Sequence, residues 1–272
     1  DVPDDGNKYT QEIFRNDVIA VMDALKIDRA HVVGHSMGAS TALHVGIRYP
    51  QRCISVTAAG CGYGSSPDPK IVEESRAASR ETAKMFAQST MADAAAKYGD
   101  GPTRQAHKNK DPRGYAHFVQ MLSEHSAVGH SLTMINLQAR RPTLYEMEAD
   151  LKAFKPPLLV IVGDEDDWCV DASIYLRRTV PTAGLMVIPR SGHTITSEEP
   201  AAFNAALAEI RGKDVVYLAE LTGNQVASTP LTGFGPSPAD YDFRIENTKV
   251  GAGMRITGDR PLSNATLWSM RK

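Results

Sequence analysis

The chain has 272 residues, 42% of them hydrophobic, with 30 Lys and Arg against 32 Asp and Glu for a net charge of −2. That balance excludes wholesale disorder and leaves no basic footprint for nucleic acid or an anionic membrane. No apolar run approaches the roughly 20 residues that span a bilayer, and the three cysteines, Cys53, Cys61 and Cys169, form neither a disulfide framework nor a paired metal motif. They are expected as buried free thiols in a reducing, cytoplasmic compartment.

The chain begins at Asp1 with no basic or apolar leader and stops at Lys272 without a capped helix; these ends read as those of a fragment. Thr10 is placed to cap a helix whose Phe14, Val18, Val21 and Leu25 recur at helical spacing. Ala30–Gly34 is a short buried strand, residues 37–49 a helix stopped by Pro50, and Cys53–Ala58 a second strand. A Gly- and Pro-rich loop runs from Gly60 to Pro69. From about Ile71 to Glu148 the sequence is Ala-rich, charged and helical, with a stripe of Tyr115, Phe118, Val119 and Leu122 and no strand signal. After Pro156-Pro157, Leu158–Gly163 is the clearest strand, Asp171–Val180 a helix, Leu185–Ile188 a strand and Thr196–Ile210 a helix. Strands alternating with helices predict an α/β fold, a mostly parallel sheet covered on both faces. Beyond Lys213, short stretches such as Val215–Leu221, Tyr241–Ile245, Met254–Thr257 and Thr266–Met270 predict a β-rich segment. The expected organisation is core over 1–68, helical cap over 69–150, core again over 151–211, and the β-rich segment, of unknown role, over 212–272.

The first strand runs straight into Gly34-His35-Ser36-Met37-Gly38 and a helix follows. This is G-x-S-x-G in the setting that gives it meaning, a serine on a sharp strand-to-helix turn. Such a turn strains the backbone at Ser36, and glycines at 34 and 38 remove side chains that would collide. The helix N-terminus aims free N–H groups at the reacting centre, so the Met37 N–H is a natural oxyanion donor. His35 lies inside the turn and lines the pocket or packs beneath it.

A serine hydroxyl needs a base, and the base an orienting group. The strongest strand ends in Gly163-Asp164-Glu165-Asp166-Asp167, and the next is followed by Ser191-Gly192-His193. Both groups fall just past strand C-termini, where sites of open α/β sheets lie. Adjacent carboxylates repel one another, so most of that cluster is expected in a solvated loop, with one member turned toward the imidazole. Spacing alone does not choose among them.

These pieces, with Ser191-Gly-His193 leading into Ser197-Glu-Glu-Pro200, resemble the α/β-hydrolase fold superfamily over roughly residues 1–211. The resemblance implies Ser36 as nucleophile, His193 as base and Asp166 as orienter, with Asp164 the runner-up acid. It implies a small-molecule substrate, a small apolar carboxylic ester by default, cleaved through an acyl-enzyme without cofactor or metal. It also implies strands and a His-Gly oxyanion loop ahead of the first helix. Only nine residues precede Thr10, and no His-Gly pair occurs in the chain.

Two other readings use the same residues: a carbon–carbon bond hydrolase or perhydrolase, and a non-catalytic ligand-binding or receptor protein on this fold. A dinucleotide site at Gly60-Cys-Gly-Tyr-Gly64 is disfavoured, because Ser65-Ser-Pro-Asp-Pro69 follows where the fingerprint needs a helix. Five methionines of the helical block, Met85, Met91, Met121, Met134 and Met147, suit either an adaptable pocket or ordinary packing.

Overall fold

The computed structural model describes residues 2–208 and, beyond them, the backbone of four strand segments. Helix α1 (Gln11–Ala24) starts where expected: Thr10 Oγ1 accepts the Ile13 N–H at 3.2 Å, satisfying one orphan donor of the first turn. Its Phe14, Val18, Val21 and Met22 face inward.

Strand β1 (Ala30–His35) leads into α2 (Met37–Arg48), which ends before Pro50, and then into β2 (Cys53–Ala59). A long helical insertion follows, comprising α3 (Pro69–Gln88), α4 (Met91–Gly99), α5 (Gln105–Lys110), α6 (Pro112–Ser123), α7 (Ala127–Thr133), a π-helical turn (Met134–Gln138) and α8 (Glu148–Lys152). The sheet resumes with β3 (Leu158–Gly163), α9 (Asp167–Thr179) and β4 (Ala183–Ile188), and the short helices α10 (Ile195–Glu198) and α11 (Pro200–Ala208) follow.

The strands pair in parallel in the order β4-β3-β2-β1. Parallel strands covered on both sides are buried nearly throughout, and all six residues of β1 are buried, His31 and His35 included. Successive residues feed opposite faces. Val32, Val56 and Val160 pack with Met22, Leu43 and Leu176 on one side. Val33, Ala59 and Ile161 meet Ile195 and Phe203 on the other. Each of the valine, leucine, isoleucine, methionine and phenylalanine side chains among them contributes about 1.5–3 kcal/mol when fully buried.

Three local expectations change. Helix α9 begins at Asp167 rather than Asp171, because a carboxylate in the first turn is favoured by the helix dipole, while Asp164 and Glu165 stay in an exposed turn and Asp166 is buried, as expected of the acid cluster. The expected helix over Thr196–Ile210 is two helices parted at Pro200, which has no N–H to carry a helix through. In α6, Leu122 is buried but Tyr115, Phe118 and Val119 are only half-buried, so the stripe is a shallow contact.

The β-rich segment expected over 212–272 lies for the most part outside the described residues. Of it, the backbones of β5 (Val215–Leu218), β6 (Ser228–Thr232), β7 (Asp242–Thr248) and β8 (Gly251–Thr257) are described, β5 running parallel to β1. The stretch Thr266–Met270 lies outside the described residues. Among the described residues no helix is long and apolar enough to cross a membrane.

Candidate active site

Ser36 stands between β1 and α2 with φ 55° and ψ −112°. Left-handed backbone at a non-glycine residue costs on the order of 1–3 kcal/mol and persists only where neighbours impose it. The neighbours are visible. A Cβ on Gly34 would lie 2.1 Å from the Gly38 carbonyl oxygen, so strand and helix meet backbone on backbone. The Ser36 N–H donates to Ala59 O at 2.8 Å, tying the turn to β2. Met37 is the first residue of α2, a position whose N–H has no partner within the helix. Its side chain packs with Tyr9 and with Leu137 of the π-helical turn, so the insertion touches the residue next to Ser36.

The ends of β3 and β4 are locked together in the same way. A Cβ on Gly163 would sit 2.1 Å from Ser191 O and 2.5 Å from Gly192 O. The Asp164 N–H donates to Ile188 O at 3.0 Å and the Glu165 N–H to Ser191 O at 2.9 Å. This contact carries the acidic segment alongside the loop that bears His193.

The result is one continuous line of polar atoms. His193 Nε2 is 2.8 Å from Ser36 Oγ, and His193 Nδ1 is 2.8 Å from Asp166 Oδ2. The two rear members are sealed off, with His193 4% and Asp166 2% exposed. Asp164 turns elsewhere, its Oδ1 accepting the Ser191 N–H at 3.2 Å. Of the two candidate acids, Asp166 meets the imidazole. His35 is buried rather than open to a pocket, and its Nε2 is 2.6 Å from the His193 carbonyl oxygen, with the two rings 5.3 Å apart.

Two neighbours of the imidazole escaped the sequence reading. Cys169, in the first turn of α9, places Sγ 3.8 Å from His193 Nδ1 and 3.5 Å from Gly60 O. Burial pushes its thiol well above the usual range, and the Asp166 carboxylate adds to this, so it stays protonated. Burial pushes Cys61 up to about 12 as well, and all three cysteines are free. The second neighbour is Glu198, whose carboxylate lies inside the His193 loop; its spacing, one residue past that of a capping box begun at Thr194, was the available signal.

Donor atoms of Asp166, Cys169 and His193 lie within 4.8 Å of one another, the one set of metal-ligating type among the described residues. A cation there would have to displace both the proton shared by Asp166 and His193 and that of the thiol. The donors present therefore fit a hydrogen-bonded acid–imidazole pair better than an ion. A cavity of about 630 Å³ opens beside α9, walled by Tyr63, Tyr145, Trp168 and Tyr175, but neither Ser36 nor His193 lines it.

Residues 4–206 match the model of the alpha/beta hydrolase family, about three quarters of the chain. The chain belongs to the alpha/beta hydrolase family. A relative, a 2-hydroxy-6-oxo-6-phenylhexa-2,4-dienoate hydrolase of Burkholderia cepacia, is 30% identical over 206 residues, covering 69% of this chain and 64% of that one. MenH from S. aureus shares the fold at TM-score 0.67 and 17% identity over 74% of both chains. A thermophilic esterase from Thermogutta terrifontis does so at TM-score 0.63 and 22% identity, over 74% of this chain and 71% of its own. For an alpha/beta hydrolase, the position of a serine at the C-terminal end of a central strand is where hydrolytic chemistry is expected.

Proposed function

We propose that this alpha/beta hydrolase is a serine hydrolase that cleaves a small apolar carboxylic ester through an acyl-enzyme. The reading is carried by the unbroken Ser36–His193–Asp166 line, with 2.8 Å at each link. Ser36 Oγ attacks the ester carbonyl carbon while its proton passes to His193 Nε2. The Nδ1–H donates to Asp166, which fixes the tautomer and stabilises the imidazolium. The tetrahedral oxyanion accepts from the Met37 N–H. Collapse breaks the C–O bond, and the departing alkoxide takes the proton from Nε2. Water then attacks the acyl carbon and gives a proton to the same nitrogen; the C–Oγ bond breaks, Ser36 Oγ takes that proton back from Nε2, and the acid leaves.

Hydrolysis of p-nitrophenyl butyrate and labelling by a fluorophosphonate test this reading. Ser36→Ala is expected to abolish labelling and to lower turnover at least ~10⁴-fold. Persistent labelling of that variant overturns the role of Ser36.

One observation favours a second substrate: the 30% identical relative is named for a phenylhexadienoate. Turnover of that compound faster than of p-nitrophenyl esters would select carbon–carbon cleavage by the same serine.

A further inference from the structure

We propose that Glu198 is a positioning residue for His193, holding the main chain on both sides of the base so that the imidazole stays in line between Asp166 and Ser36; this rests on the hydrolase reading above. Glu198 is 7% exposed. A carboxylate taken out of water without hydrogen-bonding partners costs several kcal/mol. Here it accepts four hydrogen bonds, all from the residues that bracket the base. Oε2 receives the Gly192 N–H at 2.6 Å and the Ser191 hydroxyl at 3.5 Å. Oε1 receives the Thr194 N–H at 2.9 Å and the Thr194 hydroxyl at 2.7 Å.

The placement is selective. One oxygen holds the chain before His193 and the other holds it after. Among the described residues no lysine or arginine pairs with Glu198, whereas its neighbour Glu199 pairs with Lys110 at 2.6 Å. The carboxylate thus spends its acceptors on one segment, 191–194. The peptide of the base is also met from beneath, by His35 Nε2 at the His193 carbonyl. With the flanking N–H groups and the carbonyl fixed, only side-chain rotation remains to His193, and Asp166 and Ser36 limit that. The groups facing the imidazole are then Ser36, His35, Asp166 and Cys169, with Glu198 acting on it through the backbone. A displacement of about 1 Å at a reacting group costs on the order of 10²-fold in rate.

The test compares variants in the full chain. A glutamine at 198 offers one carbonyl oxygen and one NH₂. It can accept on one side of His193, but its NH₂ then faces an N–H donor on the other. Glu198→Gln should lower kcat for p-nitrophenyl butyrate about 10²-fold with KM within about twofold. Fluorophosphonate labelling of Ser36 should slow in parallel. The low-field proton resonance of the His193 Nδ1–H should shift or broaden. Thr194→Val, which removes one hydroxyl donor and keeps the carboxylate, should show the same pattern at about a tenth of the effect and remains readable if the Gln variant does not fold. Glu199→Gln should match the wild type. Wild-type kcat and an unmoved resonance in both variants, or losses that only follow Tm and recur in Glu199→Gln, overturn the proposal. A wild type that fails to label sinks the hydrolase reading along with this one. A labelled wild type with an unaffected Glu198→Gln sinks the positioning role alone.

Discussion

All six residues of β1 are buried, whereas α3, at 20 residues, buries only Val72, Ala83 and Phe86. The sheet and the helical insertion are held by different means. In the sheet, strand ends meet loops at distances that leave no room for one extra carbon, as at Gly34 and Gly163. In the insertion, a small cluster of Phe86, Ala83, Ala94 and Met134 holds α3, α4 and the π-helical turn together, while Leu144, Met147 and Leu151 anchor its end in the sheet core. The surface pairs Lys84–Glu81 and Arg76–Glu146 decorate it, and exposed pairs of this kind are worth about 0–1 kcal/mol each. The polar line at the sheet edge is therefore set by close backbone contacts, while the helices over it are held by side-chain packing. Under the proposed function, positional accuracy falls to the sheet layer and substrate choice to the insertion, which meet where Leu137 packs on Met37.

The separation can be broken most sharply at the acid. Asp166→Asn should lower turnover about 10⁴-fold by favouring the wrong imidazole tautomer, while Asp164→Asn, which keeps a carbonyl oxygen to accept the Ser191 N–H, should stay within tenfold. Equal losses in both would mean that the acid is not singled out. The next effect tests the insertion. Phe86 is fully buried and lies 4.5 Å from the His130 ring. Phe86→Ala should cost about 3–5 kcal/mol locally, raise KM for p-nitrophenyl butyrate, and leave labelling by a small fluorophosphonate within about tenfold. A collapse of labelling would show that the layers are coupled.

The smallest effect concerns acid stability of the sheet layer. Burial, and then Arg15, Arg48 and Arg141, lower His44 from 6.5 to about 4, against a small opposing effect of Asp150. The unfolded chain therefore binds this proton before the folded one does. Stability is fully present above about 6.5 and is lost as pH falls toward 4. Because the ring is partly solvent-exposed, the expected loss from pH 7 to pH 5 is about 1 kcal/mol, or about 2–4 °C in Tm. His44→Gln should flatten that slope in a thermal melt, and an unchanged slope would refute the assignment.

Much of this was legible in the chain. Ala30–Gly34 and Leu158–Gly163 read as strands because each is a short apolar run closed by a glycine, and the glycines are where other backbone presses in. Ser36 and His193 were legible because each follows such a strand. The choice between Asp164 and Asp166 was not, because it depends on how tightly the 163–167 segment turns before α9 begins. Repulsion among the carboxylates leaves Asp164 and Glu165 in an exposed turn with Asp166 turned inward, and the dipole of α9 takes up Asp167. Glu198 was hidden for a similar reason. A glutamate in an apparently continuous amphipathic run looks solvated, and only the interruption at Pro200 separates the turn that points it inward. The stripe of α6 shows the converse, a periodic pattern that meets Gly99 and His107 yet stays half-buried.

Ser36 and His193 are 157 residues apart in the chain, and Asp166 is a further partner drawn from another strand end. Contacts of such long sequence separation form late, once loop closure across the whole sheet has been met. A chain still emerging during synthesis, or one trapped with β3 and β4 undocked, carries the Ser36 hydroxyl without its imidazole partner. Under the proposed mechanism, labelling at this serine would double as a report on completed folding, and a covalent probe would count native molecules while ignoring misfolded ones.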